Sequence, residues 1–401
     1  MSASTKLLMW GVIILLLLPG YNFYLNGILQ YRFGMSSISA VSYILMALVG
    51  AWSYLKLNGK GRQKPLTIIL LLFMGTMLSY FLYPDIRDAL LAKGYNPLDS
   101  QAVVLFLYCV PTMIVASLLP SWEKVFDIMA KFSMAVVPIG IFSYWVQIQA
   151  LGVLELDYMS VSSFLVLPVC TLCSYGYVHR KWYPFLLALV GIIFIFLAGS
   201  RGALLCSVAG LLFCLYRLFR HSGIVYKIGM AVVIAAAVAY FGQSFIQSSE
   251  SAADSGFGRG RTLDKLEEGS FFESMGREDI NKVVDAGIRE NPLGYGLFGD
   301  RHVMVKGGLP PSYCHSIIRE FLCDFGVIIG VILLFYLVYM LYKTQKKIKD
   351  PYAYEALVIV TIAGLVHLLA SGTYLTDITF WAMIGLMMNP YIQHTNSLMK
   401  K

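Results

Sequence analysis

Residues 184–199 read PFLLALVGIIFIFLAG, sixteen residues without a charge, and Ser200-Arg201-Gly202 follow directly. Runs of this kind recur along the whole chain, which is 58% hydrophobic and only 13% charged. Soluble domains carry about 25% charged residues, and a helix needs about 20 residues to cross a bilayer core. The pattern therefore predicts an all-α integral membrane protein, because a β-barrel would show short alternating segments instead.

Twelve apolar runs predict twelve membrane-spanning helices. They lie at residues 7–23, 36–55, 66–83, 102–119, 132–149, 161–178, 184–199, 202–217, 223–244, 316–342, 354–371 and 377–393. We expect one polytopic membrane domain over residues 1–401, with one extracytoplasmic loop at residues 245–313 inserted between spans nine and ten.

The long loop contains one predicted element. Apolar residues at helical spacing over residues 271–290 predict an amphipathic helix near the membrane surface, and Pro292 ends it. A second external loop, residues 84–101, is predicted to form part of a rim beside it.

The lysines and arginines set the orientation, because cytoplasmic loops of membrane proteins are enriched in them. With the N-terminus inside, the inner loops and termini hold 18 of the 31 basic residues. The loop at residues 245–313 holds eight basic and eleven acidic residues, a net charge of −3. Both termini are therefore predicted to be cytoplasmic and the long loop to face outward. The formal net charge of +8 reflects this topology and does not indicate nucleic-acid binding.

Arg201 lies between spans seven and eight, at the outer surface of this topology. The uncharged runs beside it, residues 184–198 and 203–216, have 15 and 14 residues, or roughly 21–22 Å as helices. Because a bilayer core is about 30 Å thick, either the membrane is thinner there or the turn that carries Arg201 is recessed below the outer surface. Ser200 is a suitable N-cap, and the N–H groups of the helix start would join Arg201 in an anion site. The structural alternative is an arginine that extends to lipid headgroups.

Two further candidates lie in and after the long loop. Arg277 falls early in the predicted amphipathic helix, where the alternative is a surface ion pair; the competing cations of this loop are Arg259, Arg261, Arg289 and Arg301. His315 begins span ten, where a histidine of near-neutral pKa can accept a proton from a hydroxyl; its alternative is a structural role. Arg319 follows four residues later on the same helix face, as a second phosphate-binding cation or as a partner of Glu320 or Asp324.

The sequence predicts no metal and no cofactor. It contains no phosphate-binding loop, no HExxH or GxSxG motif, and no acidic pair at metal-ligand spacing. Cys170 and Cys173 make a CxxC spacing, but they lie inside an apolar span, where packing is the usual role of cysteine.

Three motifs resemble the superfamily of O-antigen polymerases and O-antigen ligases, in matching order. They are Gly199-Ser-Arg-Gly-Ala, Gly276-Arg277 followed by Asn291-Pro-Leu-Gly-Tyr-Gly, and His315-Ser316 with Gly326 and Gly330 downstream. The resemblance covers residues 184–342. It implies a GT-C-like, metal-independent glycosyltransferase that acts on undecaprenyl-pyrophosphate-linked glycans at the outer face of the bacterial cytoplasmic (inner) membrane.

The resemblance also implies roles for the candidate residues. His315 activates the acceptor hydroxyl, and Arg201, Arg277 and Arg319 bind the pyrophosphate. Arg289, Tyr295 and Ser316 are secondary candidates for substrate contacts.

The motifs leave the acceptor open. A polymerase joins a growing lipid-linked glycan to one lipid-linked repeat unit, and it has a chain-length regulator as a further candidate partner besides membrane lipids. The alternative is a ligase that transfers the glycan to lipid A–core. A transporter of lipid-linked oligosaccharides is a third hypothesis, disfavoured because the charged residues gather at the outer face rather than along the membrane midplane.

Overall fold

The structure is a computed structural model that describes residues 2–35, 39–55, 84–94, 96, 101–151, 158–221 and 277–393, and eight residues between 67 and 78. Every regular element among them is helical. The first eight α-helices are α1 (Ala3–Phe33), α2 (Ser39–Leu55), α3 (Pro84–Ala92), α4 (Val110–Leu118), α5 (Glu123–Leu151), α6 (Tyr158–His179), α7 (Trp182–Ala198) and α8 (Arg201–His221). The remainder are α9 (Arg277–Glu290), α10 (Gly299–Lys306), α11 (Ile317–Lys347), α12 (Pro351–Val360), α13 (His367–Ala370) and α14 (Ile378–Met388).

Short π-helical and 3₁₀ segments accompany these helices. A π-helical turn, Leu105–Cys109, leads into α4, and a second, Thr361–Val366, joins α12 to α13. A 3₁₀ turn, Tyr391–Gln393, follows α14. The two π-helical turns lie within predicted spans four and eleven.

The prediction of a helical membrane protein is confirmed. Six helices of the described residues are long and apolar enough to cross a membrane, and four shorter helices of 10–17 residues are also apolar. Together they correspond to ten of the twelve predicted spans. The predicted spans at 66–83 and 223–244 lie wholly or largely outside the described residues, so the count of twelve and the GT-C-like fold stay predictions.

The described chain divides into two compact units. The first is drawn from Met1–Leu18, Val41–Phe126 and Ser274–Lys401, and the second from Pro19–Ala40 and Asp127–Glu273. Arg201 belongs to the second unit, whereas Arg277, His315 and Arg319 belong to the first.

In the second unit, α6 packs closely against α7 and α8 through small residues. A Cβ atom added to Gly191 of α7 would lie 2.7 Å from Val169 Cγ2, and one added to Gly210 of α8 would lie 2.8 Å from Cys170 Sγ. Small residues let helix backbones approach each other, which stabilises helix pairs in membranes. Cys170 therefore has a packing role in the helix interface.

In the first unit, the described parts of residues 84–101 and of the long loop pack together at one end of α11. Leu90 of α3 joins a buried cluster with Tyr295, Val303 and Cys323. A second cluster joins α9 to α10 through Val284, Met304 and Cys314. The described part of residues 84–101 therefore lies beside the long loop, and the side of the membrane that both segments face stays a prediction. The predicted amphipathic helix is confirmed from Arg277 to Glu290, and residues 271–276 lie outside the described residues.

The segment between α13 and α14, residues 371–377, is called the last loop below. Gly372 has a left-handed conformation, with φ 89°. At the other end of the loop, the Asp377 carboxylate accepts a hydrogen bond from the Phe380 N–H at 2.8 Å. This is an N-cap for α14, and it fixes the end of the last loop that leads into α14.

Candidate active site

The frame of the site is a turn that follows α9 and inserts into a break in α11. Gly326 has φ 79° and ψ 167°, which interrupts the helix. In a continuous helix the Val327 N–H would bond the Cys323 carbonyl. Here it donates to the Pro292 carbonyl at 2.9 Å, and the Cys323 carbonyl accepts from the Tyr295 N–H at 2.8 Å. The turn at residues 291–296 thus satisfies backbone groups that the break leaves unpaired.

Two glycines make this backbone contact possible. A Cβ atom on Gly326 would lie 2.5 Å from the Leu293 carbonyl carbon, and one on Gly294 would lie 2.4 Å from the Gly326 nitrogen. Both residues also have positive φ angles, 79° and 88°. The glycine spacing of the Asn291–Gly296 motif therefore has a structural cause.

His315 lies just before α11 in a left-handed conformation, with φ 57°. Its ring contacts the Tyr313 ring edge-on, with the centroids 4.4 Å apart. The pKa of His315 is lowered to about 4, chiefly by burial and secondly by the positive charge of Arg277; the Asp300 carboxylate acts in the opposite direction, and Arg301 contributes a smaller lowering. His315 is therefore neutral near pH 7 and able to accept a proton.

The two ring nitrogens of His315 differ in access. Nδ1 is buried and has no hydrogen-bond partner within the described part of the chain. Burial of Nδ1 leaves Nε2 as the ring nitrogen that a substrate hydroxyl would have to reach.

Arg277 is the first residue of α9, and its positive charge is one cause of the lowered pKa of His315. Its Nη1 donates a hydrogen bond to the Ala370 carbonyl at 2.7 Å, which ties the start of α9 to the start of the last loop. The structure therefore brings together two of the predicted site residues, Arg277 and His315, and adds the last loop to them.

A buried charge cluster lies beneath this pair. The Arg301 side chain is fully buried, and its Nη1 contacts the Asp300 carboxylate and lies 2.7 Å from Glu320 Oε1. Its Nη2 donates to the Thr373 hydroxyl at 2.9 Å. The Thr373 hydroxyl donates in turn to the Glu320 carboxylate. One guanidinium thereby joins α10, α11 and the last loop.

A third buried carboxylate, Asp324, extends the cluster. It accepts hydrogen bonds from the Gly299 N–H at 3.0 Å and from the Tyr374 hydroxyl at 2.9 Å. Burial and the neighbouring carboxylates Asp324 and Glu320 raise the pKa of Tyr374 well above its usual value. The phenol therefore stays protonated as a hydrogen-bond donor.

Sequence reasoning missed this cluster. The sequence pattern presents Arg301 only as a competing cation of the long loop, and it indicates no role for residues 371–377. One signal was present, because Glu320 and Asp324 lie four residues apart on one face at the start of an apolar helix, where carboxylates need partners. The partners come from distant segments, and the sequence pattern does not identify them.

Arg319 forms a bidentate ion pair with Asp285. Its Nε lies 2.8 Å from Oδ1 and its Nη2 lies 3.3 Å from Oδ2. The sequence predicts Glu320 or Asp324 as possible ion-pair partners of Arg319, and this prediction is wrong, because both carboxylates belong to the Arg301 cluster instead. Arg319 ties α11 to α9, and its charge is partly neutralised.

The secondary candidates occupy different environments. Arg289 is exposed, and its Nε donates to the Asp285 carbonyl at 3.2 Å. Tyr295 is buried in the core with 7% of its surface exposed, and its hydroxyl donates to the Gly287 carbonyl at 3.3 Å. Its contact with a substrate stays a prediction. Ser316 precedes α11, and its carbonyl accepts from the Glu320 N–H at 2.9 Å.

Arg201 begins α8 in the second unit. The Gly199 N–H caps α7 with φ 94°, and the Ser200 carbonyl accepts the first helical bond from the Leu204 N–H at 3.0 Å. The helices have 17 and 21 residues, about 25 and 31 Å. The prediction that both are too short to cross a bilayer is thus wrong for α8, which continues through polar residues to His221. The meeting of Arg201 with Arg277 and His315 stays a prediction.

Comparison with known families matches residues 186–335 to a family described as O-antigen ligase. The matched segment is a little over a third of the chain and contains Arg201, Arg277, His315 and Arg319, whereas the last loop lies beyond it. The match confirms the resemblance to the O-antigen ligase and polymerase superfamily. The chain matches no curated protein and no solved structure.

Proposed function

We propose that this chain, which carries an O-antigen ligase family domain, is a membrane glycosyltransferase that polymerises lipid-linked repeat units. It transfers the growing glycan from undecaprenyl pyrophosphate to the non-reducing end hydroxyl of another lipid-linked repeat unit, without a metal ion and with inversion. The observation that carries the proposal is a neutral His315 beside Arg277, inside the matched segment.

The leaving group determines the role of the arginines. Pyrophosphate departs as an anion, so the transition state needs positive charge at its phosphate oxygens. Arg277 supplies bidentate hydrogen bonds there, joined by Arg201 in the bound complex. Arg319 is a secondary phosphate contact, because Asp285 already holds two of its nitrogens.

His315 is the base of the transfer. The acceptor oxygen forms a bond to the anomeric carbon as the bond from that carbon to the pyrophosphate oxygen breaks, and the hydroxyl proton passes to His315 Nε2. Donor binding helps this step. The pyrophosphate compensates the charge of Arg277, which otherwise lowers the pKa of His315, so the imidazole becomes a stronger base when the donor is bound.

The location that we propose for the site rests on the charge distribution along the sequence and on the predicted topology. The proposed site lies at the outer face of the bacterial inner membrane, with both termini cytoplasmic. This supports a substrate that is presented by a lipid carrier from the membrane. A chain-length regulator is the partner that a polymerase of this kind would need for defined products.

The second candidate function is O-antigen ligation, which the description of the matched family favours. A ligase uses the same donor, the same cations and the same base. It differs in its acceptor, which is lipid A–core.

The test uses the purified chain in detergent with EDTA and a synthetic undecaprenyl-pyrophosphate repeat unit. We expect a ladder of longer glycans that His315→Ala abolishes and His302→Ala preserves. His302 is a matched control because it lies in α10 of the same unit, with its ring near Tyr295.

Other outcomes contradict parts of the proposal. Transfer only after lipid A–core is added would replace the polymerase with the ligase. Wild-type product from a well-folded Arg201→Ala protein would remove Arg201 from the site. No product with either acceptor would contradict both glycosyltransferase proposals.

A further inference from the structure

Asp300 is a buried carboxylate with an unusual set of contacts. Its side chain is fully buried and contacts Arg301 Nη1. One of its oxygens, Oδ1, also accepts from the Arg301 backbone N–H at 2.9 Å, and the other, Oδ2, accepts from the Cys314 N–H at 3.0 Å. Asp300 thus holds the backbone of the residue that immediately precedes His315.

The conformation of His315 requires such support. A φ of 57° is uncommon for a residue with a side chain, and such conformations persist only where the surroundings fix them. Asp300 holds the N–H of Cys314, and only the two backbone dihedral angles of Cys314 separate that N–H from the peptide of His315. An anchor at Cys314 therefore restricts where the imidazole can lie.

The anchor is itself fixed by three elements. Arg301 holds Asp300 at α10, reaches Glu320 of α11 at 2.7 Å, and reaches Thr373 of the last loop at 2.9 Å. A carboxylate held in this way cannot move without breaking contacts to α11 and to the last loop. Its position therefore depends on the whole cluster rather than on one short helix.

We propose that Asp300 is the positioning residue of His315, acting through the Cys314 backbone and through its negative charge. The inference rests on the proposed function of His315 as the base. Asp300 does not touch the ring in a hydrogen bond, and so it differs from the carboxylate that orients the histidine of a catalytic triad. The last loop, which lies outside the matched family segment, takes part through Thr373.

The variants Asp300→Asn and Asp300→Ala separate the contribution of the hydrogen bond to the Cys314 N–H from that of the negative charge. Asparagine keeps an oxygen for the Cys314 N–H and removes the charge, whereas alanine removes both. Arg301 retains Glu320 as a partner in either variant, and Asp300→Asn is the variant expected to fold best. Glu290→Gln is the matched control, because Glu290 is an exposed carboxylate paired with Lys306 in the same unit.

We expect kcat to fall in the order wild type, Asp300→Asn, Asp300→Ala, with Asp300→Asn losing about 10-fold to 100-fold through a misplaced base. The donor KM should change little, since Arg277 is untouched. The groups whose charges act on His315 are Arg277, Asp300 and Arg301. Loss of the Asp300 charge disfavours the imidazolium, so the acid limb of the rate profile should move to lower pH.

The outcomes distinguish this inference from the proposed function. An active His315→Ala protein would overturn the proposed function, and this inference with it. An inactive His315→Ala protein together with wild-type kcat and pH profile in Asp300→Asn would overturn this inference alone. Equal changes in kcat and KM with a lower melting temperature, and no shift in the pH profile, would assign Asp300 a purely structural role.

Discussion

At the scale of single residues, His315 is a histidine that its surroundings keep neutral. Its pKa lies at about 4, chiefly because of burial and secondly because of Arg277. The folded pKa is lowered, so the base form is present above it and is lost only as pH falls through it. An exposed histidine would titrate at about 6.5.

The first prediction concerns the pH dependence of this residue. We expect the transfer rate under saturating acceptor and limiting donor to hold as pH falls through about 6.5 and to decline only as pH approaches about 4. The measurement is kcat/KM against pH in detergent. A kcat/KM that falls to half its maximum near pH 6.5, about the pKa of an exposed histidine, would contradict a buried base in the free enzyme.

The second prediction concerns Arg277. Arg277→Gln removes a positive charge that lowers the pKa of His315, so the acid limb should move to higher pH. The same change removes charge stabilisation of the leaving group, and kcat should fall about 10²-fold to 10³-fold. Arg277→Lys should return the acid limb of the pH–rate profile to its wild-type position but should not restore the full kcat, because lysine lacks the planar fork of arginine. A lysine variant of wild-type kcat would exclude bidentate phosphate binding.

Arg301 carries the third prediction, which concerns stability. Removing a fully buried guanidinium leaves the Asp300 and Glu320 carboxylates without their cation, which costs about 3–5 kcal/mol. Arg301→Met should therefore lower the melting temperature in detergent strongly. Arg289→Met is the control, since the exposed Arg289 should contribute about 0.5 kcal/mol or less. Equal melting temperatures for the two variants would show that Arg301 does not hold the cluster.

At the scale of elements, the turn at residues 291–296 and the break in α11 form one unit of structure. Each side supplies the hydrogen-bond partner that the other lacks, and only glycine fits at the crossing. The start of α11, which carries Glu320 and Asp324, is held against α10 by this crossing. The position of His315, the proposed base, therefore depends on a backbone contact at Gly326, further along the helix.

The fourth prediction isolates this contact with two glycines of nearly equal φ. Gly326 has φ 79° and Gly308 has φ 80°, but a Cβ atom on Gly308 meets nothing within 4 Å, whereas one on Gly326 meets Leu293 at 2.5 Å. Gly308→Ala should cost about 1–2 kcal/mol from backbone strain alone. Gly326→Ala should cost more than about 3 kcal/mol, or prevent folding. Similar melting temperatures for both variants would mean that the turn does not pack into the break.

The helices themselves were largely predictable, and their ends were not. The apolar run at 7–23 identified α1, which extends over Ala3–Phe33, and the run at 132–149 identified α5, which extends over Glu123–Leu151. Hydrophobicity marks the part of a helix that lipid or core can cover, whereas the hydrogen-bonded backbone continues into polar residues. The break at Gly326 escaped prediction because its partner, Pro292, is distant in sequence.

The site was predictable to the extent that residue chemistry alone identifies it. Residue chemistry indicated His315 at the start of span ten and several arginines in the long loop, and the family resemblance selected Arg277 among them. Tertiary structure adds the surroundings of two others, since it buries Arg301 among carboxylates and leaves Arg289 exposed. Burial against the last loop is a property of the folded chain that no local pattern carries.

At the scale of the whole molecule, charge and cysteine distribution make the topology testable. All seven cysteines are buried, so a cysteine introduced at an exposed position is the preferred site of a maleimide. Lys306 of α10 and Lys346 near the end of α11 are both exposed, and the predicted topology puts them on opposite sides of the membrane.

The fifth prediction follows from that placement. In spheroplasts, a membrane-impermeant maleimide should label Lys306→Cys directly and Lys346→Cys only after the membrane is permeabilised, because the basic run at 343–349 is predicted to be cytoplasmic. The wild-type chain, which should remain unlabelled in both conditions, is the control for the buried cysteines.

The reverse pattern would put Arg277 and His315 on the cytoplasmic side. A donor glycan presented at the outer face could not then reach them, and the proposed polymerase and the ligase would both be excluded. Labelling as predicted, in contrast, would place the buried cluster, the last loop and His315 together on the side where lipid-linked glycans are joined.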